Sequence, residues 1–325
     1  MDFILTIDTE ADNQWDHGRE LTVENIRFVP EFQKLCEKHG IRPTYLVTSE
    51  VCEDEFARKT FTEYLDRGTA EIGAHLHSWT TPPFTDQDGL RYNDPDHAFA
   101  SELPEEILNA KVLNLTNQIT EAFGKRPLSF RSGRFGFNDC VAKSLISNSY
   151  LVDSSVTPFS TWVAHPGIQG NNGGPDFTDK LPFPYRITHE KGDLVEIPLC
   201  ILPTSFPLNL NHSLAKSYFT KVDNNIFLKV LRKLFYINQP AWLRPFDWMN
   251  LQEYKSLIKE AFRIELPFMV MMFHSSELMP GCSRYRPTED SVKKLFTEIE
   301  GLFLMLKEQE IRSVTLSEAA ENVIR

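Results

Sequence analysis

Two carboxylates directly follow the first apolar segment of the chain. Residues 3–7 are apolar or β-prone, and Asp8 and Glu10 come immediately after them. An apolar run that ends abruptly in acids is typical of a buried strand that delivers charge to one end of a sheet. In α/β proteins the chemistry lies at the carboxyl ends of the strands. Asp8 and Glu10 are therefore candidate site residues, and the alternative is an acidic surface turn.

A pair of histidines follows the strand predicted at residues 70–74. His75 and His77 are two residues apart, and in an extended segment this spacing places both rings on one face. Two imidazoles in that arrangement can bind one metal ion. Together with one or two carboxylates they would form a catalytic zinc set with an open position. The alternative for a bare H-x-H is a pair of structural histidines.

Polar residues also end three later strands. The guanidinium of Arg131 or Arg134 could orient a carboxylate or bind an oxyanion. Asp153 ends another predicted strand, and His274 follows the strongly apolar residues 268–273. A histidine there can act as an acid or a base, because its pKa lies near neutrality. Each residue alone could be structural, but five polar strand ends on one sheet indicate a shared site.

Strand and helix patterns alternate along the chain. Strand patterns cover residues 3–7, 43–47, 70–74, 129–131, 150–154, 268–273 and 313–315. Helical patterns cover residues 24–39, 53–67, 105–123, 140–147, 214–234, 248–262 and 289–309, and a further one closes the chain. This rhythm predicts a parallel sheet or barrel with helices outside.

Two segments interrupt the rhythm. Residues 157–179 contain an Asn-Asn-Gly-Gly-Pro run, which indicates a loop. A helical insertion is predicted around residues 212–262. We find no internal repeat and no low-complexity linker, so we predict a single domain over residues 1–325 with inserted loops and helices.

Composition narrows the class of partner. The chain has 325 residues, of which 41% are hydrophobic, and its net charge of −11 argues against a nucleic-acid partner and against binding to an anionic membrane. Its five cysteines are scattered, as is typical of reduced thiols in the cytosol. No run reaches transmembrane length and no signal peptide fits before the first strand, so we predict a cytoplasmic protein without membrane insertion. A Gly-x-Ser-x-Gly elbow, a P-loop and a dinucleotide fingerprint are all missing from the sequence.

The order of these motifs resembles the polysaccharide deacetylases, the NodB-homology group. The motifs are D-T-E at 8–10, G-A-H-L-H at 73–77, F-R-S-G-R at 130–134, D-S-S at 153–155 and F-H at 273–274. The resemblance spans most of the chain. It implies a distorted (β/α) barrel with about seven parallel strands, a divalent metal ion that is often zinc, and a carbohydrate substrate.

The resemblance also implies roles for individual residues. Asp8 would be the general base, and Glu10 would take the place of the metal-binding acid. His75 matches the first histidine of the family's H-x-x-x-H motif. Arg131 matches the arginine that orients the base, and His274 matches the histidine that protonates the leaving amine.

The sequence departs from the family pattern at two places. Thr9 separates two acids that are commonly adjacent, and Trp79 occupies the place of the second histidine. His77 could substitute as the metal ligand because it is within reach. These departures resemble a divergent branch associated with the biosynthesis of surface glycans. Predicted substrate-binding residues are Trp79, Arg134, Asp153 and Glu196, the last in a Glu-Ile-Pro segment similar to one in some divergent members.

The expected function is metal-dependent removal of an N-acetyl group from a sugar or glycan intermediate. Two alternatives stay open. One is a different carbon–nitrogen hydrolase on the same barrel, acting on a small cyclic amide or ureide. The other is a non-catalytic glycan-binding protein, which the replacement at Trp79 favours.

Overall fold

The computed structural model describes residues 1–14, 20–85, 89, 98–167, 173–204, 208–222, 225, 228 and 239–324. Most of the predicted helix 214–234 beyond Val222, and part of the predicted loop 157–179, lie outside these ranges. Among the described helices, none combines the length and the apolar character needed to cross a bilayer.

The elements alternate as the sequence predicts. The strands are β1 (Asp2–Thr9), β2 (Thr44–Val47), β3 (Glu71–Leu76), β4 (Ser129–Ser132), β5 (Val152–Asp153), β6 (Tyr185–His189), β7 (Gly192–Glu196), β8 (Ile201–Leu202), β9 (Ala241–Trp242), β10 (Phe268–His274) and β11 (Arg312–Ser313). The α-helices are α1 (Val29–Lys38), α2 (Ser49–Glu53), α3 (Glu55–Asp66), α4 (Glu105–Phe123), α5 (Asp139–Ser147), α6 (His212–Val222), α7 (Leu251–Arg263), α8 (Glu289–Glu308) and α9 (Leu316–Ile324).

The main sheet is a curled, largely parallel half-barrel. Its strands run in the order β10-β1-β2-β3-β4-β5-β7, all parallel, with β6 antiparallel at one edge and β11 beside β1. The prediction of about seven parallel strands in a distorted barrel is confirmed. Isolated backbone hydrogen bonds bridge the remaining gap, from Leu199 to Val156 and from Cys200 to Val270.

Side-chain alternation along β1 divides the core into two layers. Phe3, Leu5 and Ile7 belong to the layer that packs under the surrounding helices. Ile4 faces the opposite way and belongs to a second buried cluster, which includes residues of β10 and of α9. Because the period of a strand is two residues, Asp8 shares the inward face with Ile4. The barrel is thus apolar near its α9 end and polar where β1 ends.

The sequence patterns missed the hairpin formed by β6 and β7. The exposure of β6 alternates between intermediate and exposed, and its composition is polar, so it lacks the apolar run that marks a buried strand. β7 is nevertheless central to the site, because it pairs with β5 and places Glu196 opposite Asp153. The predicted strand at 150–154 is shorter in the structure, where β5 covers two residues. The organisation of the predicted insertion around 212–262 stays a prediction.

Candidate active site

One carboxylate and two imidazoles meet at the carboxyl ends of β1 and β3. Oε2 of Glu10 lies 2.8 Å from Nε2 of His77 and 3.6 Å from Nε2 of His75. All three side chains are buried, and their ligand atoms lie within 4.8 Å of one another. The H-x-H spacing turns both rings to the same side, where they meet edge to face at 4.7 Å. The three residues therefore present one oxygen and two nitrogens to one point.

The donor set fits a divalent metal ion. Nδ1 of His75 donates to the carbonyl oxygen of Arg131 at 2.9 Å, which leaves its Nε2 lone pair for the cluster. Burial lowers the pKa of His77 to about 4, so this imidazole is neutral near pH 7. Burial alone would raise the pKa of Glu10, but its three histidine neighbours, His274, His75 and His77, outweigh that effect and lower the pKa. One carboxylate and two imidazoles match a catalytic zinc set with an open position.

Asp8 lies beside this cluster and is held by a buried arginine. Its Oδ1 accepts a hydrogen bond from Nη1 of Arg131 at 2.6 Å, and its Oδ2 lies 4.0 Å from Nε2 of His75. Arg131 is completely buried and also donates to the carbonyl and hydroxyl oxygens of Ser154. Burial opposes ionisation of Asp8, but Arg131 and His75 outweigh it and lower the pKa of the carboxyl. Asp8 is thus a fixed, ionised carboxylate next to the candidate metal ligands.

His274 lies on the opposite side of the cluster, with Nε2 3.9 Å from Oε1 of Glu10. Nη2 of Arg244 lies 3.1 Å from Nδ1 of His274. An arginine can only donate, so Nδ1 accepts and Nε2 carries the proton in the neutral ring. Glu277 accepts hydrogen bonds from Arg244 and from the backbone N–H of His274, which fixes both residues.

Sequence reasoning missed Arg244 and Glu277. Glu277 stands three residues after His274, and that spacing was an available capping signal, because its side chain accepts from the backbone of His274. No sequence motif marked Arg244 as a candidate site residue. It lies just after β9, within the predicted insertion, and only the tertiary fold brings it to the histidine.

Two predicted substrate-binding acids lie beneath the site and do not line it. Asp153 and Glu196 are both completely buried. Asp153 accepts from the hydroxyl of Ser155, and Glu196 accepts from the backbone N–H of Val156. Burial and the neighbouring Asp153 raise the pKa of Glu196 well above its usual range, so one carboxyl of the pair keeps its proton. Their position indicates support for the ends of β5 and β7.

Trp79 also lies away from the cleft lining. Its ring packs against His77 with centroids 4.5 Å apart, and its Nε1 donates to the carbonyl oxygen of Gln14. The residue is 8% exposed. The side chain at the place of the family's second histidine therefore supports the neighbouring ligand from behind, and it does not offer a face to a sugar.

A cleft of about 770 Å³ opens above Asp8, Glu10, His75, His77 and His274. One wall is aromatic and consists of Phe135, Trp162, Trp242, Phe246 and Tyr285. Neighbouring rings in this wall have centroids between 5.0 and 6.5 Å apart. Arg134, the remaining predicted substrate contact, also lines the cleft. Aromatic faces of this kind suit the apolar faces of sugar rings.

No protein-family model matches the chain, and no curated protein matches it by sequence. Two of the solved structures that resemble it cover nearly the whole chain. A presumed polysaccharide deacetylase from Mycobacterium smegmatis superposes with a TM-score of 0.56 at 13% identity, over 99% of this chain and 89% of that one. The PuuE allantoinase superposes with a TM-score of 0.50 at 11% identity, over 98% and 88% of the two chains. These likenesses show the NodB-like fold that the motif order predicted.

Proposed function

We propose that this protein is a metal-dependent hydrolase that removes an N-acetyl group from a sugar or glycan intermediate. The observation that carries the proposal is the juxtaposition of the Asp8–Arg131 ion pair with Glu10, His75 and His77 on the floor of one cleft. This set combines a fixed base with three metal-ligand side chains. The aromatic wall above it supports a carbohydrate as the substrate.

Glu10, His75 and His77 would hold the metal ion, and their chemistry favours zinc. A divalent ion held there supplies a Lewis acid that polarises the amide carbonyl and makes water more acidic. The hydrogen bond from Nδ1 of His75 to the carbonyl oxygen of Arg131 orients the His75 ring, and Trp79 packs behind His77. The protein thereby fixes the ligands before substrate arrives.

Asp8 would take the proton of the attacking water. The Arg131 guanidinium occupies Oδ1, so Oδ2 is the oxygen that faces the candidate ligands. Arg131 lowers the pKa of the carboxyl against the effect of burial, which keeps Asp8 in the form that can accept a proton near neutral pH. A general base in this position contributes about 10²- to 10⁴-fold in rate.

His274 would protonate the leaving amine. The ring would deliver the proton from Nε2, on the side of the cleft, as the imidazolium ion, whose Nδ1 proton would face Oε1 of Glu277, 3.6 Å away. His274 is 22% exposed, whereas Asp8 and Glu10 are 3% and 2% exposed in their side chains. The histidine therefore reaches further into the space where a substrate nitrogen would lie.

The structural likeness to an allantoinase supports a second candidate, a hydrolase of a small cyclic amide or ureide. The long aromatic wall favours the larger sugar substrate. A screen that compares N-acetylated sugars with cyclic amides and ureides separates the two. Hydrolysis confined to the cyclic compounds would replace the deacetylase proposal.

Acetate release from a panel of N-acetylated sugars and oligosaccharides tests the proposal directly. We expect the metal-loaded protein to release acetate, and Asp8→Asn to lower the rate by about 10²- to 10⁴-fold. Asparagine retains an oxygen that can accept from Arg131, so the variant should keep its circular dichroism, with a lower melting temperature because the buried guanidinium loses its charged partner. Sugar binding without acetate release would favour a glycan-binding protein.

A further inference from the structure

The turn after β4 is held in a strained backbone conformation at the cleft wall. Arg134 and Phe135 have φ angles of 54° and 60°, in the left-handed region that favours glycine. The flanking glycines are tightly enclosed: a Cβ on Gly133 would meet the ring of His77, and a Cβ on Gly136 would meet the backbone of Ala100. Such strain persists where surrounding contacts enforce it, and it is frequent at binding sites.

This turn gives Arg134 a defined place in the cleft. Its guanidinium stacks over the ring of Phe99, 4.5 Å from the centroid. Among the described residues it makes no hydrogen bond and no ion pair, although Glu102 acts on it electrostatically. The other cleft arginines that the structure describes are engaged, because Arg244 donates to Glu277 and Arg284 donates to Tyr285. Within the part of the chain that the structure describes, the donors of Arg134 are therefore available to a ligand.

A histidine contributes to the same part of the cleft lining as Arg134. His165 lines the same wall, and its ring lies 5.3 Å from that of Trp162. Partial burial and the positive charge of Arg134 lower the pKa of His165, so this imidazole is neutral near pH 7 and can donate one N–H to a ligand. An anion bound between the two groups would pair with Arg134 and would favour protonation of His165. The whole chain carries a net charge of −11, so the positive charge of Arg134 on this wall is opposite in sign to the charge of the chain as a whole.

We propose that Arg134, with His165, forms a subsite for an oxyanion carried by the substrate, either a phosphate or a carboxylate on the amino sugar. The planar fork of arginine pairs with two oxygens of either group. Arg134 directly follows Gly133, which packs against the ring of His77, so we place the anion on the same sugar as the acetyl group or on its neighbour. This inference rests on the proposed function for the identity of the sugar.

Calorimetric binding in the Asp8→Asn background separates the subsite from the chemistry. The probes are N-acetylglucosamine, N-acetylgalactosamine and N-acetylmannosamine, each as the free sugar, the 1-phosphate and the uronic acid. We expect an anionic form to bind about tenfold to a hundredfold more tightly than its neutral parent, and Arg134→Gln to abolish that preference. Arg134→Lys should retain a part of it. Preference for the phosphate or for the uronic acid identifies the anion.

Arg284→Gln is the matched control, because it removes the same charge from another part of the cleft lining. The preference for anionic sugars should survive in this variant. An equal loss in both variants would assign the effect to the general field of the cleft and overturn the subsite. Equal affinity for neutral and anionic sugars, or no measurable affinity for any anionic member, overturns it as well. Failure of acetate release with an intact binding preference would instead count against the proposed function alone.

Discussion

Gly133 packs directly against one of the candidate metal ligands. A Cβ at this position would clash with Nδ1 of His77 and would lie 2.8 Å from the carbonyl oxygen of Leu76. The second of these atoms belongs to the backbone, so the strain cannot be relieved by a rotamer change alone. We predict that Gly133→Ala displaces His77 and weakens zinc binding at least tenfold, as measured by competition with a chelator.

Gly124→Ala provides the control for this prediction. Gly124 ends α4 with a φ of 71°, and nothing lies within 4 Å of the Cβ that alanine would add. This variant should lose about 1 kcal/mol of stability through backbone strain and keep the affinity for zinc. Unchanged zinc affinity in Gly133→Ala would show that His77 is not a ligand.

Strand-end positions predicted which side chains meet, because parallel strands deliver their carboxyl ends to one edge. Asp8, Glu10, His75 and His77 come together for this reason, and Arg131 joins them from β4. The same rule cannot distinguish a side chain that lines the cleft from one beneath it. The burial of Asp153 and Glu196 depends on the pairing of β5 with β7, and β7 carried no strand signal. The position of Trp79 behind His77 likewise depends on tertiary packing, which the strand-end rule does not predict.

At the scale of elements, α4 anchors the loop that follows β3. Nζ of Lys111 donates to the carbonyl oxygens of Ser78, Thr81 and Pro83, at distances between 2.6 and 2.9 Å. The lysine is fully buried. We predict that Lys111→Met lowers the free energy of unfolding by about 2–4 kcal/mol, because three buried acceptors lose a charged donor. Urea denaturation measures this loss.

Lys59→Met on the exposed face of α3 is the matched control, and it should stay within about 0.5 kcal/mol of the wild type. Because the loop begins next to His77, Lys111→Met should also weaken metal binding in the folded protein. A variant with wild-type stability would show that the three carbonyl contacts contribute nothing.

Elements with strong periodicity were predictable, and their order predicted a parallel sheet or barrel with helices outside. The resemblance of the motifs to a known family then favoured the barrel. The predicted helix 105–123 coincides with α4, and the glycine at its end has the left-handed conformation of a helix cap. The apolar run 268–273 coincides with β10, which extends one residue further, to His274. The polar hairpin of β6 and β7 was missed, because an edge strand with one exposed face needs no apolar run. Local patterns do not encode the irregular contacts of Leu199 and Cys200 that bridge the sheet.

At the scale of the whole molecule, the buried pair of Asp153 and Glu196 links stability to pH. Burial and Asp153 raise the pKa of Glu196 in the folded protein, whereas an unfolded glutamate titrates at about 4.3. Between these two values the native state binds more protons than the unfolded state. The stabilisation is therefore complete below the unfolded pKa, and it is lost as pH rises through the folded pKa.

We predict that Glu196→Gln flattens the dependence of stability on pH. Glutamine keeps a donor for Asp153 at every pH, so the variant should be the more stable protein at pH 8 and should lose its advantage toward pH 4. Urea denaturation at several pH values measures the difference, with the exposed Glu190→Gln as a control that should follow the wild-type profile. Parallel profiles for Glu196→Gln and the wild type would contradict the raised pKa of Glu196 in the folded protein.

The central claim is that Glu10, His75 and His77 hold a catalytic metal ion, and the metal content of the purified protein tests it most directly. Elemental analysis should be made on protein prepared without metal-affinity steps and then soaked in zinc and dialysed. We predict about one divalent ion per chain in the wild type and in His165→Ala, and none in His75→Ala or His77→Ala. A wild-type protein that takes up no metal, or a His77→Ala variant that keeps it, would contradict the account.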